Sequence, residues 1–146
     1  MSLYPPVGFY FNVAFDFAQG DMIDTQFSEV SGISSSLDTE SVAEGGENRF
    51  VHTLPSRPNY ANLILKRGLS IGSTLQDWCL NAIENLDISP AMVWVSLLNE
   101  AGEPLMTWSF HGAYPVKWEV ADLNAQQSQV LIETLELSYQ YFKRES

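Results

Sequence analysis

The chain has 146 residues, enough for one domain, and a fold of that size buries roughly 68–70% of the surface its unfolded chain exposes. Hydrophobic residues make up 45% and charged residues 17%, within the range of an ordinary folded domain, while the net charge is −11 with only seven Lys and Arg. That balance argues against a nucleic-acid-binding surface, where a basic patch supplies most of the affinity, and the single Cys79 excludes an internal disulfide.

No targeting segment is evident. The first residues, Met1-Ser-Leu-Tyr-Pro-Pro6, hold no basic segment followed by an apolar run, so no secretory leader is expected. The longest apolar stretch, Ala91 to Leu98, is far short of the ~20 residues that cross a bilayer. Synthesis in a reducing cytoplasm is the simplest expectation.

In chain order, Phe9 to Phe17 alternates: Phe9, Phe11, Val13, Phe15 and Phe17 fall on one face, Tyr10, Asn12, Ala14 and Asp16 on the other. Period two with aromatic and β-branched residues predicts a half-buried strand. Residues 18–25 carry turn chemistry and acidic charge and are expected to be a loop. A second strand is expected from Phe27 to Val30, ending near Gly32, and a polar strand with little core of its own from Leu37 to Ala43.

Residues 44–60 (EGGENRFVHTLPSRPNY) contain two Gly and two Pro and few core-forming side chains. A compact domain rarely keeps so long an irregular run without a use for it. The segment is either a surface loop or an extended arm that packs on a neighbouring subunit through Phe50, Val51, Leu54 and Tyr60.

A short strand is expected over Asn62 to Lys66, closed by Gly68. Leu75, Trp78, Cys79, Ala82, Ile83 and Leu86 then recur at spacings of three and four, which predicts one amphipathic helix, with Ser73 and Gln76 at capping-box spacing. Cys79 lies inside this stripe and reads as a small core residue. Ala91 to Leu98 is apolar on both faces and predicts a central strand, followed by a hairpin connection at Asn99 to Gly102. Strands are expected over Leu105 to Phe110 and over Pro115 to Val120, where Val116, Trp118 and Val120 share a face. After a polar loop at 122–128, one long strand is expected from Gln129 to Phe142. The fold class is therefore mainly β, an antiparallel β-sandwich or barrel with one flanking α-helix, in a single domain spanning 1–146 with an arm at about 37–61.

Catalytic and metal-binding patterns are missing. His52 and His111 are about sixty residues apart, with no H-E-x-x-H and no cysteine pair. Gly45-Gly46 lacks the Lys-Ser/Thr of a phosphate loop, no G-x-S-x-G occurs, and Ser34 to Ser36 have no local base. No cofactor, no metal and no enzymatic activity are expected. The basic doublet Lys66-Arg67 is either a pair of surface ions or a contact with an acidic neighbour.

Several blocks resemble the phage tail tube family. Phe27-Ser-Glu-Val-Ser-Gly-Ile33 is similar to its F-x-E-V-S-G-L element. Glu44 to Phe50, Asn62 to Leu69, the helix around Asp77-Trp78, Ala113 to Trp118 and Ile132 to Tyr139 look like its later blocks, in the family's order and over nearly the whole chain. The resemblance implies a structural subunit of the inner tube of a contractile injection system or phage tail. Six copies would form a homo-hexameric ring that stacks with other tube rings, meets the baseplate and spike hub, and lies inside a sheath. The ring would be either a tube initiator near the baseplate or the repeating tube unit. Under the resemblance, candidate subunit contacts are Glu44, Gly45, Gly46, Asn48, Arg49, Phe50, His52, Tyr60, Lys66 and Arg67. Candidate lumen-facing residues are Thr134, Glu136, Ser138 and Gln140, and the net charge suggests an acidic lumen wall. A monomeric β-barrel that binds a small ligand is the alternative, and its cue would be an apolar-lined cavity with a few polar groups.

Overall fold

The computed structural model describes residues 10–17, 22–43, 51–69, 73–121 and 131–145. Within them the chain forms β1 (Tyr10–Phe17), β2 (Met22–Phe27), β3 (Glu29–Ser31), β4 (Ser35–Ala43), β5 (Val51–Tyr60), β6 (Leu63–Gly68), α1 (Thr74–Glu84), β7 (Ala91–Leu98), β8 (Pro104–Val120), β9 (Ile132–Ser138) and β10 (Tyr141–Arg144). The fold is mainly β and antiparallel with one flanking helix, as the alternation predicts.

The main sheet runs β2-β1-β7-β8-β9-β6-β3, with β10 also paired to β8. Its two ends are one stretch of chain, since only Ser28 separates β2 from β3. β2 pairs with β1 while β3 pairs with β6, and the Ser28 N–H donates to the Lys66 carbonyl at 2.9 Å. The sheet therefore closes on itself, which leaves fewer unpaired edges than an open sheet of the same length.

The inward face follows from period two. Val13, Phe15 and Phe17 of β1, Val93 and Val95 of β7, Leu63 and Leu65 of β6, and Leu135 and Leu137 of β9 are buried and pack together with Phe27 and Phe110. Each large apolar side chain fully buried here contributes about 1.5–3 kcal/mol. α1 begins at Ser73, whose hydroxyl accepts the Gln76 N–H at 3.1 Å. Leu75, Trp78, Cys79 and Ala82 face inward, and Trp78 meets Phe15 and Phe17 at ring separations of 6.0 and 5.2 Å. The helix stops two residues earlier than its apolar stripe suggests. Leu86 lies beyond it with φ 54 and is 80% exposed, and Ile83 is 41% exposed.

Several strand boundaries differ from the sequence reading. Residues 22–25, expected in a loop, belong to β2, where they pair with Val13 to Asp16 of β1. The strands expected at 105–110 and 115–120 are one strand, β8. The single long C-terminal strand is interrupted: β9 pairs with residues 114–120 of β8, β10 with residues 108–111, and Tyr139-Gln140 form the break opposite Gly112. Val116 sits at a register shift between Pro115 and Lys117 and is 42% exposed, so it does not share the half-buried setting of Trp118. The turn at 99–102 is a hairpin connection, held by Asn99 Oδ1, which accepts the N–H groups of Ala101 and Glu103 at 2.9 Å each. Phe9 and the polar stretch 122–128 lie outside the described residues.

Cys79, on the inward face of α1, is fully buried. Burial first, and the Glu133 carboxylate second, push its thiol up to about 12 from the ordinary 9.0, with Arg67 pulling the other way. A group whose pKa is raised by folding contributes stability below its unfolded value and loses it as pH climbs through the folded value. Stability should therefore fall between pH 9 and about 12, and Cys79→Ala should flatten that fall in thermal melts at stepped pH. A decline just as steep in the variant would show that the thiol does not contribute to it.

Candidate assembly site

The arm expected at about 37–61 is a two-stranded antiparallel hairpin, β4 with β5, that among the described residues pairs with no strand of the main sheet. Pro55 and Pro58 lie in β5, and proline lacks the N–H that a central strand would need. Asp38 and Asn59 hydrogen-bond side chain to side chain across the hairpin. Leu37 on one strand and Leu54 on the other are 56% and 48% exposed, so the hairpin carries apolar groups that its own subunit does not cover. Glu44, Gly45, Gly46, Asn48, Arg49 and Phe50 lie outside the described residues. His52 lies on β5 opposite Val42, and its side chain is outside the described set. Tyr60 ends β5 and packs on Tyr139 and Phe142 at 5.9 and 5.3 Å.

The Lys66-Arg67 doublet is divided by strand alternation. Lys66 points outward, with a 3.8 Å ion pair to Glu29 on neighbouring β3. Arg67 points inward, is 8% exposed, and donates from Nε to Glu133 Oε1 at 2.7 Å. Its two terminal nitrogens reach Thr25 Oγ1 at 3.0 Å and Ser73 Oγ at 3.2 Å, and its guanidinium lies 5.2 Å from the Phe27 ring centroid. Glu133 is 2% exposed and its other oxygen accepts Gln76 Nε2 at 2.7 Å and Trp118 Nε1 at 2.6 Å. This network joins β2, β6, β8, β9 and the start of α1. Arg67, expected at a subunit surface, is thus an interior residue that ties the helix to the closed sheet.

The outward face of β9 carries Thr134, Glu136 and Ser138. Thr134 is 9% exposed and stands between Lys66 and Glu119 in register, while Glu136 stands between Ile64 and Lys117. Glu136 also accepts Asn62 Nδ2 at 2.9 Å, and Lys117 pairs with Glu119 at 3.6 Å. Lys66 and Lys117 thus stand among Glu29, Glu119 and Glu136, so this face is mixed in charge and not the acidic wall that net charge alone suggests. Gln140 sits in the break between β9 and β10, exposed, with its N–H bonded to the His111 carbonyl at 2.9 Å.

One cluster has the residue types of a catalytic triad without the arrangement of one. Ser109 Oγ is 2.5 Å from Glu145 Oε1 and 3.2 Å from His111 Nε2. A hydroxyl has one proton, and here it goes to the carboxylate, so the histidine must donate and does not act as a base toward the serine. Ser109 is fully buried. Among the described residues, no group of three His, Cys, Asp or Glu is placed to hold a metal ion, and no helix is long and apolar enough to cross a membrane. A cleft of about 180 Å3 lies between α1 and the segment after it, lined by Phe17, Asp77, Trp78, Asp87 and others. It is smaller than the ~300–1,000 Å3 of ordinary small-molecule sites.

The comparisons with known proteins agree with the blocks in the sequence. No curated protein matches the chain. A chain in the cryo-EM structure of the anti-feeding prophage (AFP) baseplate is 36% identical, with a TM-score of 0.84, covering 99% of this chain and 97% of that one. A chain of the PVC sheath/tube terminator, from an extracellular contractile injection system in the extended state, is 26% identical with a TM-score of 0.74, covering 100% and 99%. A chain of the PVC sheath-tube complex is also 26% identical, with a TM-score of 0.75, covering 99% and 93%. Residues 7–143 match the T4-like virus tail tube protein gp19 model, and the chain belongs to that family.

Proposed function

We propose that this chain forms the ring from which the inner tube of a contractile particle starts, at its baseplate end. Family membership assigns it a structural, tube-type role. The finer reading is carried by one observation: 36% identity and a TM-score of 0.84 to a chain of the AFP baseplate, against 26% and 0.75 to a chain of a PVC sheath-tube complex. The 6-fold symmetrised state of that baseplate supports a homo-hexamer. A head-to-tail contact closes into such a ring when its rotation divides a full turn. Tube rings would follow on one side, the baseplate and spike hub on the other, and sheath around them. The particle is then a phage tail or an extracellular contractile particle, built from subunits made in the cytoplasm.

In this ring the hairpin at about 37–61 reaches a neighbouring subunit, using Glu44, Gly45, Gly46, Asn48, Arg49, Phe50 and His52, with Tyr60 at its root, and Lys66 on β6 makes a separate contact. Thr134, Glu136, Ser138 and Gln140 face the lumen, and the mixed charge around them gives a wet wall with no strong field of either sign. The test of the initiator role is copy number in purified particles, by quantitative mass spectrometry. One ring per particle, unchanged when the tube is lengthened, is expected; copies rising with tube length would assign the repeating subunit instead. Deleting 45–58 tests the hairpin: a folded monomer and no rings by negative-stain microscopy is expected, and intact rings would remove the hairpin from assembly.

A further inference from the structure

A hairpin that, among the described residues, pairs with no other strand keeps a direction only if its root is held. Here each leg is held by a different device. At the β4 leg, Gly32 presses against the backbone of Asn62, and Ser34 N–H donates to the Gly32 carbonyl at 2.8 Å as the chain turns into β4. At the β5 leg, Tyr60 tilts at 57° against Tyr139 and meets Phe142 edge-on at 68°. Those two rings rest in turn on Phe110, which is fully buried, at 4.9 and 5.3 Å.

The same cluster has a polar tie. The Tyr139 hydroxyl donates to the carbonyl of Ala61, the residue just after β5, at 2.6 Å. Burial first, and Tyr60 second, push this phenol up to about 12, so it remains a donor at any ordinary pH. Tyr139 continues the inward alternation of Leu135 and Leu137, and the break between β9 and β10 puts Phe142, not Tyr141, beside it on Phe110. A single continuous strand, as the alternation alone predicts, would place Tyr141 on the face of Tyr139 and turn Phe142 away from it.

We propose that Tyr60, Tyr139 and Phe142 form a joint that sets the direction of the hairpin in the free subunit, and that ring assembly depends on this presetting. The proposal rests on the reading of the hairpin as the assembly arm. A hairpin swinging freely about its root would lose that freedom on docking, which weakens association; a preset hairpin loses little. The three rings act as positioning residues: they fix the angle at which the exposed Leu37 and Leu54 are presented, and need not touch the neighbour themselves.

The test uses the full chain with spin labels at Thr39→Cys on β4 and Glu84→Cys at the end of α1. Cys79 stays unlabelled because it is fully buried and its thiol is pushed up to about 12. Pulsed EPR on the free subunit should give one narrow distance distribution. Tyr60→Ala should broaden it at least about twofold and raise the concentration for half-maximal ring formation about tenfold, with the far-UV spectrum unchanged. Tyr60→Phe keeps the ring and should keep both readouts at the parent value. Tyr139→Phe removes only the bond to Ala61 and should fall between the two.

A distribution that stays narrow in Tyr60→Ala overturns the joint, and so does a broad one in the parent. Broadening with unchanged assembly, where deletion of 45–58 abolishes rings, overturns the dependence of assembly on presetting. Rings that survive the deletion overturn the assembly reading itself, and the distance measurement, which needs no assembly, tells these failures apart.

Discussion

Arg67→Ala should lower the unfolding free energy by about 3–5 kcal/mol, the cost of stranding a buried charge whose partner has been removed. Glu133 is 2% exposed, and without the guanidinium its carboxylate keeps, among the described residues, the neutral donors Gln76 and Trp118. The loss also cuts the ties to Thr25 on β2 and to Ser73, the N-cap of α1, so the helix start loses its anchor along with the charge balance. For a chain this size each kcal/mol shifts the melting temperature by about 2–4 °C, so a fall of about 10 °C is expected. Arg67→Lys keeps the charge but not the planar fork and should cost about 2 kcal/mol. Arg67→Ala combined with Glu133→Ala should cost less than the two single losses added, because no charge is then left unpaired. Urea unfolding followed by tryptophan fluorescence, at concentrations below ring formation, reads all four. A loss under about 1 kcal/mol for Arg67→Ala would place the pair with ordinary surface ion pairs.

The signal for this network is present in the sequence, in a form easily read the wrong way. Leu63, Leu65 and Arg67 stand at period two, so alternation alone puts Arg67 on the core side and Lys66 on the other. Reading the two as one basic doublet hides that division. Glu133 is harder to find, because its partner is fixed by the pairing of β6 with β9, a contact 66 residues apart that periodicity does not encode. Local patterns fared better where the physics is local. The aromatic alternation of β1, the apolar run of β7, the Ser73 cap and the turn at Asn99 all stand as the sequence predicts. The family blocks placed the chain among tube proteins for a different reason: they are an ordered set, and no single physical pattern in them implies a ring. Strand ends fared worst. β2 starts within a stretch of loop-like composition, and β9 breaks from β10 where alternation is unbroken, because in both places the partner strand decides the boundary.

Gly32→Ala should destabilise the subunit by about 3 kcal/mol and also misdirect the hairpin. The backbone at Gly32 has φ +90, a conformation in which a residue with a side chain is strained by about 1–3 kcal/mol. Packing adds to that strain. A Cβ at this position would stand 1.9 Å from the Asn62 carbonyl oxygen, 3.0 Å from the Asn62 carbonyl carbon and 3.4 Å from the Leu63 Cα. All three are backbone atoms, so no side chain can step aside; either β6 moves or the start of β4 does. Moving β6 would disturb its pairing with β9, including the Arg67–Glu133 position, so the easier adjustment is at the hairpin root. Gly102→Ala is the control. It has a similar φ of +80, but among the described residues its Cβ would meet only the Tyr10 hydroxyl, at 3.4 Å. It should cost about 1 kcal/mol from backbone conformation alone and leave assembly unchanged. The excess cost of Gly32→Ala over Gly102→Ala in urea unfolding then measures the close approach to Asn62. Ring formation by Gly32→Ala should require a higher subunit concentration even under conditions where the variant is fully folded. Equal costs at the two glycines would show that the root is slack and that the hairpin takes its direction from elsewhere.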